Sequence, residues 1–576
     1  ARAAYAVSMV EGQGHACAAL ASDPLFDDAL IAQLRAHAWI GDGSGFTPFV
    51  LDDDAKLYTW RNWYHETRLA DGLLRRARSR ALPVDAKELS TDITELFAGD
   101  DAPATRWQRV AVAAVPGARL FVLTGGPGTG KTTTVLRMLL ELLRRAPKSG
   151  LPVQPKIALA APTGKAAQRL SQAIANGKQK LLQTLAPQSA LRELIDSIPH
   201  AQAQTLHRLL GFRPREDGFA YGATNPLAAD IVVVDEASMV DLAMMRQLVD
   251  AMRDDAILIL LGDPAQLAAV EAGSVLGDIV ASVGVNTVPA ELVQRLVPAV
   301  EPPPDTDTNP APLCGQVVTL THGWRAGSGL QRGIDALRAV DATWLDTFVA
   351  NGSDGSLHLH ACANAAALRV RVDAWIEAHA ELFGSLFAAE ALPHVALQSL
   401  RNAQILCALR EGAFGAQGVN AMVASRLVLR FGVDAGTQWY SGRAVIVTRN
   451  DYSRQLFNGD IGIAMEGAEG LRVWFEVGHA DGSVGLRSFS PRALPAHETA
   501  WAITIHRSQG SEYADVAVVL PPDPEQRILS RELLYTGVSR ATHSAEIWTT
   551  PAALRAAANR PIQRHGGLRK RLASPA

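Results

Sequence analysis

The residues Gly125-Gly126-Pro127-Gly128-Thr129-Gly130-Lys131-Thr132 stand between an apolar run, Leu120 to Thr124, and a helix-length segment. A glycine-rich turn in that setting wraps an anion with inward-facing N–H groups, and the helix behind it presents its positive N-terminal end to the same charge. Lys131 adds a point charge that reaches β- and γ-phosphates. The Thr132 hydroxyl is expected in the shell of Mg²⁺, a cation that takes few protein ligands besides phosphate oxygens. Together with Thr133 these residues predict a site for ATP.

A second constellation follows the apolar run Ile231 to Val234, where Asp235 and Glu236 place two carboxylates at the carboxyl end of a buried strand. Ligands bind at that end of such sheets. Asp235 is expected to hold Mg²⁺ through water and Glu236 to polarise the water that attacks the γ-phosphate, so hydrolysis is favoured over transfer to another acceptor. Asp235 could instead cap the next helix, but capping needs neither the second carboxylate nor the phosphate loop.

The elements that must position these groups are legible as an alternation. From Arg106 onward, short apolar runs alternate with helix-length amphipathic segments, the pattern of a parallel sheet covered by helices. Strands are expected at Leu120 to Thr124, Ile157 to Ala160, Ile231 to Val234 and Ile257 to Leu261. The segment Glu301 to Pro312, crowded with proline, aspartate and threonine, is expected to be an exposed, mobile loop between two halves. In the second half, strands are expected at Ile405 to Ala408, Ala444 to Val447, Val516 to Leu520 and Glu546 to Thr549. Ile461 to Met465, Leu471 to Val477 and Val484 to Phe489 predict a small all-β insert. The region before about Asp100 holds Phe49-Val50-Leu51 and a run from Thr67 to Leu82 whose Arg75, Arg76, Arg78 and Arg80 are read as a solvated helix face.

At 576 residues the chain exceeds what one hydrophobic core organises, so several domains are expected. No apolar run approaches the ~18 residues of a membrane-spanning helix, and no membrane association is expected. The scattered Cys17, Cys314, Cys362 and Cys407 suggest neither a disulfide framework nor a metal site, which fits a reducing cytoplasm. The first residues do not read as a signal peptide; an initiator Met is missing, so the start is expected upstream. With a formal net charge of -3, any nucleic-acid surface must be a local groove.

Around the two constellations stand Ala161-Pro162-Thr163-Gly164-Lys165-Ala166-Ala167, Thr205-Leu206-His207, Asp235-Glu236-Ala237-Ser238 and Gly262-Asp263-Pro264-Ala265-Gln266-Leu267. They resemble motifs Ia, Ib, II and III of superfamily-one helicases, in the expected order. Gly323-Trp324-Arg325, Thr504 to Glu512 and Tyr535 to Ala541 resemble motifs IV, V and VI. The resemblance implies two RecA-like P-loop motor domains, α/β with parallel sheets, and assigns roles. Arg325 and Arg540 become arginine fingers, Gln266 lies near the γ-phosphate, and Gln108 reads the adenine edge, although Thr105 and Gln108 also have capping-box spacing. Single-stranded DNA, unwound from a duplex, would be gripped through its backbone by Thr163, Lys165, His207, His506, Ser508 and Gln509. Arg507 stands where lysine is common, and Ala326 departs from the aromatic-Arg-Phe wording of motif IV.

Phe457-Asn458-Gly459-Asp460-Ile461-Gly462, with Leu406 to Gly412 and the motif V wording, resemble the RecD branch of that superfamily. This implies 5′→3′ translocation, DNA contact at Asn458, and membership of a heterotrimer with RecB and RecC that processes double-strand ends for recombinational repair. No nuclease carboxylate cluster is evident, so degradation is expected of the assembly only. A free-standing helicase of the branch, or an ATPase that gates a protein complex, are the alternatives. The expected organisation is a mainly helical partner-docking domain (1–104), a first motor domain (105–300), a linker and the start of the second (301–429), an SH3-like β insert (430–495) and the remainder of the second motor (496–576).

Overall fold

The computed structural model describes residues 1–576 apart from 80–84, 101, 149–150, 199–202, 214–217, 297–299, 301–303, 309, 325–327, 389–390, 433–437, 452, 468–469, 479–483 and 575–576. Two parallel sheets dominate. The first has six strands in the order Val317–Leu320, Leu120–Gly125, Ile257–Gly262, Ile231–Val234, Ile157–Ala161 and Gln204–Thr205, all parallel. The three central ones are buried along their whole length, which is why they read as unbroken apolar runs. Register does the positioning: Thr124 pairs with Gly262 and Thr319, and Val234 with Leu260 and Ala160. Neighbouring strands therefore end level, and the residues that follow them, Gly126, Asp235, Asp263 and Pro162, emerge along one edge.

The second sheet also has six strands, Ser353–Asp354, Leu357–Ala361, Ala541–Thr549, Tyr513–Val519, Ala403–Cys407 and Ala502–Thr504, parallel except for the first pair. Inserted in it is a five-stranded antiparallel sheet in the order Val484–Phe489, Gly470–Gly478, Ile461–Gly467, Ala444–Val447 and His497–Thr499. The amino-terminal region is mainly helical, with a four-stranded sheet over which the helix Trp60–Arg78 lies.

Several expectations need correction. Ala444–Val447, grouped with the second-half alternation although it falls inside the insert bounds of 430–495, is a strand of the small sheet, since its partners are antiparallel; a short apolar run does not reveal which sheet it enters. That sheet also runs past residue 495 to Thr499. The first sheet passes residue 300, because Val317–Leu320 closes it beside the phosphate-loop strand. Within the segment expected to be loop, Asp305–Asp307 is a strand paired with Thr287–Pro289, which satisfies its backbone groups.

The chain then returns to its beginning. After the helix Pro551–Asn559, the carboxy-terminal segment leaves the second motor and docks on the first and on the amino-terminal region. His565 stacks on His15 at 4.7 Å, the Gly567 N–H donates to the buried Glu66 carboxylate at 2.9 Å, and Arg564 donates to the carbonyls of Gln13 and Ala269. This extends the region read as second motor into a fastening across the molecule.

The arginine cluster splits. Arg75 and Arg78 face solvent, whereas Arg76 is 1% exposed and donates to the carbonyls of Met252, Arg253 and Ala256 at 2.9–3.0 Å. Arg80 lies outside the described residues. Close packing forces the difference: a Cβ on Gly72 would sit 2.5 Å from Val249, so Trp60–Arg78 lies tight along Leu242–Ala251 and Arg76 is driven beneath that helix's carboxyl end. There it binds carbonyls of the turn that follows the helix. Replacing Arg76 by Ala should destabilise the protein by about 3 kcal/mol, seen as a lower urea midpoint, with Arg76→Lys falling between; an unchanged midpoint would contradict this account.

Candidate functional site: a cleft between two motor sheets

The phosphate loop leaves the first sheet at Gly125, whose φ is +155°, and closes at Gly130 with φ +86°, an αL conformation that glycine takes without strain. The helix Lys131–Arg145 starts there. Thr129 Oγ1 donates to the Gly126 carbonyl at 2.8 Å, and Lys131 Nζ lies across the loop, donating to Gly125 and Gly126 carbonyls at 2.7 and 3.0 Å. Gln108 braces the loop from behind. Its amide donates to the Thr129 carbonyl at 3.2 Å, and a Cβ on Gly130 would come within 2.6 Å of it. The capping-box reading fails, because the helix runs from Ala102 to Ala114 and encloses both Thr105 and Gln108.

Asp235 and Glu236 leave the neighbouring strand end. Glu236 has φ +52°, a strained conformation for a residue with a Cβ, held where its N–H donates to Asp235 Oδ1 at 2.8 Å. The helix cap in this stretch is Asp241, on Met244 N–H, so Asp235 is not spent on capping. Burial, then the adjoining Glu236 charge, pushes the Asp235 carboxyl up to about 6, and Lys131 opposes the shift.

The second sheet supplies the opposite wall. A cleft of about 150 Å³ is lined by the phosphate loop with Lys131, Thr132 and Thr133, by Asp235, Glu236 and Gln266, and by Gly510, Glu512 and Arg540. Arg540 is 3% exposed and is aimed by its bonds to the carbonyls of Thr536 and Ser511. Of the residues read as catalytic, Lys131, Asp235, Glu236, Gln266 and Arg540 thus share one cleft. Arg325 lies outside the described residues. Its neighbour Trp324 donates its N–H to the Gly128 carbonyl at 3.0 Å, so the motif IV segment lies against the phosphate loop.

The loop Asp263–Leu267 is where the halves grip each other. Asp263 is 1% exposed and accepts from Ala265 N–H and Gln266 Nε2 of its own loop, and from the Tyr535 hydroxyl of the second motor at 2.8 Å. Leu267 N–H donates to Thr536 Oγ1 at 2.9 Å, and the Leu267 carbonyl accepts from Gln509 Nε2 at 3.0 Å. Gln509 is thereby removed from the exposed track expected of it. Ser508 is fully buried with its hydroxyl on the Ile505 carbonyl, because the short helix Ile505–Ser508 tucks that face inward.

The other residues read as touching DNA are scattered differently. Thr163 caps the helix Gly164–Thr184 through Ala166 N–H. Lys165 lies beside the insert, near Gly459, and the insert's Phe457 packs on Gly164. Asn458 is exposed, with its N–H on Asn450 Oδ1. His506 is partly buried, which lowers its pKa. His207 sits among Phe212 and Phe219 at ring distances of 5.4 and 6.0 Å, an aromatic cluster whose signal was two phenylalanines seven apart just after motif Ib. The sequence reading also missed Tyr535, Thr536 and Arg169 as individual site residues; only Tyr535 and Thr536 lay inside a quoted motif.

Comparison with known proteins places this arrangement. Residues 108–272 match the AAA domain family and residues 499–547 the UvrD-like helicase C-terminal domain family. The RecBCD enzyme subunit RecD of Mycobacterium tuberculosis is 37% identical over 554 residues, covering 94% of this chain and 84% of that protein. The same subunit of Haemophilus influenzae is 33% identical over 90% of this chain and 80% of its own length. The ATP-dependent RecD2 DNA helicase of Deinococcus radiodurans is 29% identical over 76% of this chain but 48% of that protein.

The hydrogen bond between the two motors can be removed without changing shape. Tyr535→Phe leaves the buried Asp263 one donor short and should cost about 1–3 kcal/mol, read as a lower denaturation midpoint with the affinity for ATP little changed. Equal stability of variant and wild type would mean that the contact does not hold the halves together.

Proposed function

Because the chain belongs to the RecD family of RecBCD subunits, we propose that it is an ATP-driven motor that moves 5′→3′ along single-stranded DNA and unwinds duplex ends within a heterotrimer with RecB and RecC. The observation that carries the reading is the shared cleft, in which Lys131, Asp235 and Glu236 of one motor face Arg540 of the other. A nucleotide bound there touches both halves, so its hydrolysis can move one against the other.

The chemistry derives from these side chains. The phosphate loop N–H groups and Lys131 hold the β- and γ-phosphates, and Lys131 exchanges the Gly125 and Gly126 carbonyls for phosphate oxygens. Glu236 orients a water for attack on the γ-phosphorus; the bond from that phosphorus to the β,γ-bridging oxygen breaks, and ADP and inorganic phosphate leave. Arg540 balances negative charge on the phosphoryl oxygens, and Gln266 reports their state through Asp263 to Tyr535. Thr132 and Asp235 line the same cleft and offer the hard oxygen donors that Mg²⁺ takes. When bound, this ion supplies charge neutralisation at the β- and γ-oxygens.

For DNA the assignment rests on Thr163, Lys165, His207, Asn458 and His506, with Phe212 and Phe219 adding faces on which bases stack at ~1 to 3 kcal/mol each. Gln108, given its bond to the loop, serves to fix the loop's closing turn, and its second amide atom is left for an adenine edge. The amino-terminal region, with its four-stranded sheet, is assigned to partner docking. All four cysteines are free and buried, which supports a place in the reducing cytoplasm.

ATP hydrolysis by wild type and Lys131→Gln, with and without single-stranded DNA, tests the motor. Turnover stimulated by DNA, abolished in the variant, and displacement of a strand from a 5′-overhang duplex are expected, with no DNA degradation by the isolated chain. Hydrolysis indifferent to DNA would instead indicate an ATPase that gates a complex. A pH series tests the track: burial, with Arg169 adding to it, lowers the Lys165 ammonium to about 8. Only the protonated form attracts phosphate, so affinity for single-stranded DNA should weaken as pH rises through about 8 and Lys165→Arg should flatten the profile; identical profiles would remove Lys165 from the track.

A further inference from the structure

Helix Gly164–Thr184 carries a second cation one turn beyond Lys165. Arg169, four residues on, lies on the same helix face and is turned towards the second motor. Its Nη1 donates to the Gly510 carbonyl and its Nη2 is 3.3 Å from the Glu512 carboxylate. Gly510 has φ +70°, and a methyl there would sit 3.9 Å from Glu236 Oε1 and 3.7 Å from Ala166 Cβ. The turn 509–512 therefore passes directly over the carboxylate that orients water, pinned from the first motor by Arg169. On its near side Gln509 holds Leu267, and on its far side Ser511 accepts from Arg540.

Arg169 and Glu512 also form a partition. Both line the nucleotide cleft, and both line a second cavity of about 310 Å³ that opens towards Lys165, Arg401 and the insert residue Asp460. The pair thus separates the space where phosphate is cleaved from the space beside the segment assigned to DNA. Arg169 keeps 38% side-chain exposure, and an ion pair so placed is cheap to exchange, whereas its bond to a backbone carbonyl fixes where the turn sits.

We propose that Arg169 is a positioning residue for hydrolysis, a latch between the motors that holds the Gly510 turn over Glu236, with Glu512 as its exchangeable counter-ion. The proposal rests on the motor reading and adds the element by which DNA engagement at Lys165 and His506 reaches the water-orienting carboxylate. DNA binding shifts this turn through the segment 504–509, the latch transmits the shift, and Glu236 is aligned. No bond is made or broken at Arg169 itself.

The test uses the full chain and four proteins: wild type, Arg169→Ala, Arg169→Lys and Glu512→Gln, each assayed for ATP turnover over a range of ATP with and without an oligothymidylate. The ratio of stimulated to unstimulated kcat should fall about tenfold in Arg169→Ala, with KM for ATP within about twofold of wild type. Arg169→Lys, which keeps charge and a donor, should recover most of the ratio, and Glu512→Gln should lie between. A ratio in Arg169→Ala equal to that of wild type would overturn the latch while leaving the motor standing. A large rise in KM with the ratio preserved would also overturn it, by making Arg169 a nucleotide ligand. A wild type that ignores DNA would overturn both readings.

Discussion

Level strand ends in the first sheet are the constraint from which the site follows. Parallel pairing of Thr124 with Gly262 and of Val234 with Leu260 and Ala160 delivers a phosphate loop, two carboxylates and the Asp263 loop to one edge without any long-range search by side chains. The three central strands are buried throughout, and a slip of one residue in any one of them would carry its own group about 3.3 Å out of level with the others. Precision at the cleft is thus inherited from hydrophobic pairing some distance below it. The left-handed Glu236 is the local strain that this foundation can bear.

Above that edge, the two motors meet through polar contacts set around Leu267, which is buried in the apolar core of the second motor. Asp263, Leu267, Gln509, Tyr535 and Thr536 exchange hydrogen bonds of 2.8–3.0 Å, and Arg169 and Arg540 bracket them on the nucleotide side. Such contacts are directional and individually modest, so an interface built from them can break and re-form in discrete arrangements. That property suits the proposed motor, in which a bound phosphate would set the spacing of the halves.

The phosphate loop, Asp235-Glu236 and the strands of the first sheet were legible because chemistry or two-sided burial leaves few residue choices. Arg540 was legible only through the motif around it. Ser508 and Gln509 were not: a motif string carries no burial, and their side chains turned out to serve the protein's interior. Arg76 misled for the opposite reason, since an arginine on a cationic face looks solvated until the neighbouring helix is known. Ala444–Val447 shows a third limit, because four apolar residues pair equally well in parallel or antiparallel company. Arg169 had no signal of its own; its meaning arises from a glycine carbonyl 341 positions away.

The fastening of residues 564–571 onto the beginning of the chain has a consequence for biosynthesis. Domains fold as they leave the ribosome, amino-terminal parts first, yet Glu66 is enclosed by the Gly567 N–H and the Arg571 guanidinium. Until that stretch has been made, the nascent amino-terminal region and first motor carry an open seam with a carboxylate in it. Enclosure of Glu66 therefore waits on a glycine 501 positions further along the chain.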